Sequence, residues 1–153
     1  MRIIAVICFI FFVSSCRNEG ATTKVSAEKA ATDSANFTSV VFTDSVQNLG
    51  VLKMGETAEI KFHFKNDGDK PLFIISAQPA CGCTVADFPK EPIAPGGDGV
   101  IVANFNTKGQ AETFTKSITV MTNTKPNTNH LLTFLGEIKS NGSDSSNTEK
   151  KTN

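Results

Sequence analysis

The 153-residue chain contains no tryptophan and no tyrosine. Those amphipathic rings are the ones usually presented to a wet ligand face, so their absence argues against a carbohydrate-binding surface. There are two histidines, His63 and His130, and neither stands in a motif that would set a base beside a serine or cysteine nucleophile. Asp44, Glu56, Asp67, Asp69 and Asp87 fall in expected turns, and no spacing among them selects a glycosidase pair. No catalytic residue is therefore assigned, and no enzyme, cofactor or small-molecule substrate is expected. Lysine plus arginine equals aspartate plus glutamate at 15 each, with no basic block, so the electrostatic footprint of a nucleic-acid binder is missing. No apolar run approaches the roughly 20 residues that a helix needs to cross about 30 Å of hydrocarbon.

What is present begins at the N-terminus. Arg2 precedes IIAVICFIFFV, residues 3–13, the charged and apolar regions of an export signal. The next residues, Val13-Ser14-Ser15-Cys16, resemble the lipobox of bacterial lipoproteins, in which the cysteine is acylated and becomes the first mature residue. The resemblance implies a lipoprotein signal peptide over residues 1–15, lipidation at Cys16 and attachment to the membrane through that lipid. More than one acyl chain makes such attachment stable. Arg17, rather than an aspartate, follows the cysteine, which favours the outer membrane, facing the periplasm, over retention in the inner membrane. Loss of residues 1–15 removes one base and no acid, leaving the mature chain close to neutral.

Residues 16–36 comprise the anchor and a tether of alanine, serine, threonine and alternating charge with one large apolar residue, Val25. Such a composition cannot bury enough surface to offset chain entropy, and the same holds for the polar tail, residues 139–153. Between them, residues 37–138 are the size of one domain. Its apolar spacing is that of strands: Ala58, Ile60, Phe62 and Phe64 alternate with Glu59, Lys61, His63 and Lys65. The turn formers of NDGDKP, residues 66–71, reverse the chain into a second strand at 72–76, and further strands are expected at 37–42, 100–106, 114–121 and 130–138. Short strands separated by Gly, Pro, Asn and Asp, with no period of 3.6, predict an all-β, immunoglobulin-like antiparallel β-sandwich of about seven strands. The mature phenylalanines fall mostly at inward positions and read as its core. The run DFPKEPIAPGG, residues 87–97, is expected to be a rigid crossing between sheets and a candidate docking edge.

Residues 62–84 (FHFKNDGDKPLFIISAQPACGCT), FPKEPIAPGG at 88–97 and KSITVMTN at 116–123 resemble a bacterial lipoprotein family of unknown function whose Ig-like domain carries Cys-Gly-Cys-Thr. The resemblance covers the whole domain. It implies a fold and an envelope location, and no enzymatic activity.

If the leader departs with Cys8 and Cys16 is acylated, Cys81 and Cys83 are the remaining thiols, alone in an oxidising space. In an extended strand their Cα atoms would stand at about 6.8 Å, the upper limit for a disulfide, and a bend at Gly82, through the positive φ that glycine tolerates, would shorten that distance. A local disulfide shaping the turn, a pair of small buried thiols, a strained and hence reducible redox pair, and two ligands for a soft ion such as Cu(I) all remain open. The metal reading leaves its other ligands unassigned: His63 is expected to face solvent, and His130, Met54 and Met121 cannot be placed against the pair. Thr84 is read as a turn or strand residue whose hydroxyl bonds nearby backbone. The function expected is a lipid-anchored envelope module that binds or scaffolds another envelope protein through a sheet edge or the loops around residues 81–97; the competing expectation is a thiol-redox or copper protein using Cys81 and Cys83.

Overall fold

The computed structural model describes residues 33–140. The leader, Cys16, most of the tether and nearly all of the tail lie outside the described residues. After a 3-10 turn at Ser34–Asn36, the chain forms β1 (Val40–Phe42), β2 (Val46–Lys53), β3 (Thr57–Asn66), β4 (Ile74–Pro79), β5 (Thr84–Asp87), β6 (Asp98–Asn106), β7 (Thr113–Thr122) and β8 (Asn129–Lys139). The strands divide into two four-stranded sheets of order β1-β3-β6-β5 and β2-β8-β7-β4. This is the expected sandwich, with eight strands among the described residues rather than about seven.

Alternation makes the inner surface. In β3, Ile60, Phe62 and Phe64 are buried while their neighbours are exposed, and Phe105 and Ile101 on β6 face the same way. Opposite them, Phe114 and Ile118 on β7 and Phe134 on β8 complete the core. The ring of Phe105 lies 4.8 Å from Phe114 and 5.3 Å from Phe134, inside the range where tilted and edge-on aromatic pairs attract beyond their area burial.

The remaining differences from expectation come from tertiary pairing. β2 and β5 carry no alternation strong enough to announce them; β2 forms because β8 offers it an open edge, and it pairs there in parallel, a departure from a wholly antiparallel sandwich. A register shift between Asn48 and Val51 accommodates Gly50, whose φ is +67°. Gly136 lets that bulge approach, since a Cβ there would stand 2.6 Å from the Gly50 carbonyl oxygen. The first strand starts at Val40 rather than 37, and the strand expected at 72–76 starts at Ile74, because Leu72 instead bridges to Ile93. The loop after β3 leads into the opposite sheet, and Lys139, assigned from sequence to the tail, ends β8.

The buried polar residues gather mainly at one end. Asn66 donates through Nδ2 to the carbonyls of Lys70 (2.8 Å) and Ile93 (2.9 Å) and accepts at Oδ1 from Thr38 Oγ1 (2.9 Å) and the Gly68 amide (3.2 Å). Asn123 donates to the carbonyls of Asn36 and Pro71 and accepts from the Phe73 amide. At the other end, Thr107 donates within reach of the carbonyls of Lys53 (2.8 Å) and Glu56 (3.0 Å). These amides and hydroxyls meet the otherwise unpaired backbone groups of the loops, which is the condition for burying polar atoms without penalty.

Candidate functional site

Cys81 and Cys83 lie on the link that carries the chain from one sheet to the other. β4 belongs to one sheet and β5 to the other, and residues 80–83 join them. This link is therefore one of the chain's crossings between the sheets. The proline-rich run at 87–97, expected to cross, instead leads from the last residue of β5 to β6, and these two strands are neighbours in one sheet. That run is also anchored: Leu72 and Ile93 exchange two backbone hydrogen bonds of 2.9 Å, and Asn66 bonds through its own backbone to Gly96 and Gly97.

The link is fixed from both sides. The Ala80 amide donates to the Ser117 carbonyl on β7 (2.9 Å), and the Cys83 carbonyl accepts from the Asn106 amide at the end of β6 (2.9 Å). Between these points Cys81 and Cys83 are joined by a disulfide with their Cα atoms 5.3 Å apart. The turn also brings the Thr84 amide to the Cys81 carbonyl at 3.4 Å. Gly82 does not take a positive φ, and an added Cβ would meet nothing within 4 Å, so neither the backbone nor the packing explains a glycine there. Thr84 begins β5 and is buried; its Oγ1 lies 3.9 Å from both sulfurs, and as neither bridged sulfur carries a hydrogen, the hydroxyl is the donor. Its partner is thus sulfur, where the sequence pointed to backbone. Cys83 packs against the hydrophobic core while Cys81 is half-buried and Gly82 exposed.

Beyond the link, β5 is a four-residue edge strand. Its partner is β6, with Val85 opposite Asn104 and Ala86 opposite Ala103. Val85 points outward with 68% of its surface exposed, at the end of a rigidly held turn. Asp87 accepts from the Phe88 amide (2.9 Å) and pairs with Lys90 (3.4 Å), whose Nζ lies 3.2 Å from the centre of the Phe88 ring.

The two histidines and Met121 are not brought to the pair. His63 is exposed opposite Val100, whereas Cys83 bonds to Asn106, six residues along β6 and so roughly 20 Å away at about 3.4 Å per residue. His130 lies on β8, its Nε2 2.8 Å from Thr124 Oγ1 and 3.2 Å from Thr122 Oγ1, with the Phe42 ring 5.5 Å away. Burial holds its pKa below the ordinary histidine value. Met121 is exposed on the far face of β7, and Met54 follows β2 at the end of the sandwich where Thr107 bonds the Lys53 carbonyl and neighbouring Asn106 bonds that of Cys83. Among the described residues no group of three or more His, Cys, Asp or Glu is gathered as for a metal, and no helix is long and apolar enough to cross a membrane.

Asn66 reads from sequence as a turn former, and Asn123 only as the end of the run at 116–123. For Asn66 the signal was available, because the alternation of residues 58, 60, 62 and 64 continues through 66 and turns its side chain inward. Asn123 shows no comparable signal.

The family model described as "Protein of unknown function (DUF1573)" matches residues 40–138, from the first residue of β1 to the penultimate residue of β8. The chain belongs to this family. No curated protein matches this DUF1573 chain. Among solved structures, a protein of unknown function from Porphyromonas gingivalis W83 superposes with a TM-score of 0.62 at 17% identity, covering 69% of this chain and 49% of that one. The chain therefore spans about half the length of that protein. A family 123 glycoside hydrolase from Clostridium perfringens gives a TM-score of 0.50 at 9% identity, covering 68% of this chain and 27% of the hydrolase. The PapD-like domain 7 of human CEP192 gives 0.48 at 16% identity, covering 69% and 87%. These likenesses are of fold alone.

Proposed function

We propose that this DUF1573 chain is a protein-binding or scaffolding module of the bacterial cell envelope, attached through lipid at Cys16 to the outer membrane and facing the periplasm, and that it takes a protein partner at the β5 edge. The observation carrying this reading is the geometry of Thr84–Asp87: an edge strand next to a disulfide-closed link bonded to both sheets, with Val85 exposed. An added strand at such an edge gains main-chain hydrogen bonds, and an outward side chain gives it register. A link already held on both sides has little ordering entropy left to lose on binding.

A photo-crosslinking amino acid at position 85 of the full chain, activated in native envelopes, is expected to give a discrete adduct with another protein. Adducts no stronger than those from position 61, on the charged outer surface of the same sheet, would sink the reading. The anchor is tested separately: Cys16→Ala should abolish lipid labelling and release the chain from the membrane fraction.

A second reading is favoured by the bridge itself, which spans only two positions of sequence and so constrains little of the unfolded chain. A dithiol protein would deliver two electrons and two protons to the bridge, leaving Cys81 and Cys83 as thiols and departing as its own disulfide. The thiolates of the reduced pair would then suit a soft ion such as Cu(I). Alkylation mass spectrometry with and without reductant, with metal analysis of protein from the native envelope, separates the readings. A pair found inert and metal-free in every state removes this second one.

A further inference from the structure

The two outer faces of the sandwich differ in charge. On the sheet containing β3, the outward residues include Glu59, Lys61, His63 and Lys65, facing Asn104, Val102, Val100 and Asp98 on β6, with Asp87 at the edge. That surface is solvated. On the other sheet the outward residues are of another kind. β8 presents Asn129, Leu131, Thr133 and Leu135; β7 sets Met121, Thr119, Ser117 and Thr115 opposite them; β2 sets Val46 and Asn48 beside Thr133 and Leu135; and β4 adds Ser76 and Gln78 beside Met121 and Thr119. None of these carries a charge. Leu131 and Val46 are each 60% exposed, and Met121, diagonal to Leu131 across the pair, is exposed as well. Charge returns at one end, where Lys53, Glu137 and Lys139 sit together on β2 and β8.

We infer that the outer face of the β2-β8-β7-β4 sheet is a contact between two copies of this chain. Three features favour a second copy over another occupant. First, an uncharged, hydroxyl-rich and aliphatic surface desolvates without stranding a charge only against a surface of the same kind, and this face is itself such a surface. Second, the charges at its end are of both signs, so two copies meeting with the same ends together can pair Glu137 with the lysines. Third, the formal net charge of the chain is zero, which removes the long-range repulsion that keeps like molecules apart. The packing would repeat outside the molecule what holds its sheets together inside, sheet on sheet about 10 Å apart. Four strands at about 4.8 Å and seven residues of β8 at about 3.4 Å give a footprint of roughly 20 by 20 Å per copy, at the small end of specific interfaces. The contact is accordingly weak in free solution and served by the two-dimensional concentration of anchored copies. This contact lies on the sheet opposite β5 and stands apart from the edge reading above.

The test uses two full-length copies with different tags in one cell, each carrying a photo-crosslinker at position 119 beside Leu131, activated in the intact membrane and only then solubilised in detergent for capture, so that shared vesicles do not report as contacts. Wild-type copies are expected to capture one another. Leu131→Lys in both copies should lower capture by at least about tenfold, since like charges facing across a contact cost several kcal/mol and about 1.4 kcal/mol is tenfold. Pairing a Leu131→Lys copy with a Leu131→Glu copy should restore it, which also shows that both variants fold. Val41→Lys, at an exposed position on the opposite sheet, should leave capture unchanged. Absence of wild-type capture, capture indifferent to charge at 131, no recovery in the mixed pair, or equal sensitivity at 41 would each overturn the inference. So would a photo-crosslinker at 131 that joins a different protein and never a second copy.

Discussion

Replacing Asn66 by aspartate tests how the sheet ends are held, because it keeps volume and shape while reversing the polarity of one atom. In the native site the amide assignment is forced: Nδ2 faces the carbonyls of Lys70 and Ile93 at 2.8 and 2.9 Å, while Oδ1 receives the Thr38 hydroxyl and the Gly68 amide. Asn66→Asp retains the two accepted bonds and sets a second oxygen against the two carbonyls. Two net hydrogen bonds are lost, at about 1 kcal/mol each. The larger effect is the charge. Asn66 is completely buried and has no basic partner in its hydrogen-bond set, so the new carboxyl should have its pKa raised, by as much as about 3–5 units for full burial.

A raised carboxyl pKa gives a definite sign. Below the unfolded value, about 3.9, the group is neutral in both states and adds no charge penalty. As pH rises from there toward the folded value the unfolded state ionises first, and stability falls by about 1.36 kcal/mol per unit. By pH 7 the charge penalty reaches about 3–4 kcal/mol on top of the two lost bonds, against a total of about 5–15 kcal/mol for an ordinary domain. The assay is urea unfolding of wild type, Asn66→Asp and Asn66→Ala at pH 4, 5.5 and 7. Referring each variant to wild type at the same pH cancels the titration of every other group. Asn66→Asp should fall about 1–2 kcal/mol short of wild type at pH 4, the cost of the lost hydrogen bonds alone, and be severely destabilised at pH 7, and Asn66→Ala should lose a constant amount. A pH-independent loss in Asn66→Asp, or full stability at pH 7, would refute the buried-amide account.

Three further outcomes follow from the same structure. Replacing Cys81 and Cys83 together by serine should cost no more than about 1.6 kcal/mol in loop entropy, because a loop of three residues constrains the unfolded chain far less than one of 15, worth about 3 kcal/mol; a much larger drop in urea midpoint would mean that the bridge is a staple. Truncating Phe105 to alanine, fully buried among Phe114 and Phe134, should cost about 3–5 kcal/mol by thermal or urea unfolding, and a loss below 1 kcal/mol would mean that the core is not built around it. The lowered pKa of His130 makes wild-type stability full above the unfolded histidine value near 6.5 and progressively lost as pH falls through the folded value; His130→Gln should flatten that limb in unfolding experiments between pH 7 and 5, and an unchanged slope would place the titration elsewhere.

The alternation over residues 58–64 was enough to place β3 and its inner face, and the phenylalanines along β6, β7 and β8 announced the core, because period-two burial is a local property of the backbone. The Cys-Gly-Cys spacing raised the disulfide as one of several readings. Why that pair lies where it does was not legible, since β5 becomes a strand only by pairing with β6, and residues 80–83 become a sheet crossing only once β4 and β5 join different sheets. The same holds for β2, a strand because β8 leaves an edge free, and for Asn123, whose side chain reaches backbone at Asn36 and Pro71, far away in sequence. Local pattern alone thus determined which faces are apolar. Which strand lies beside which, where the chain changes sheet and which outer face carries charge only at one end were decided by long-range pairing, which no stretch of sequence expresses by itself.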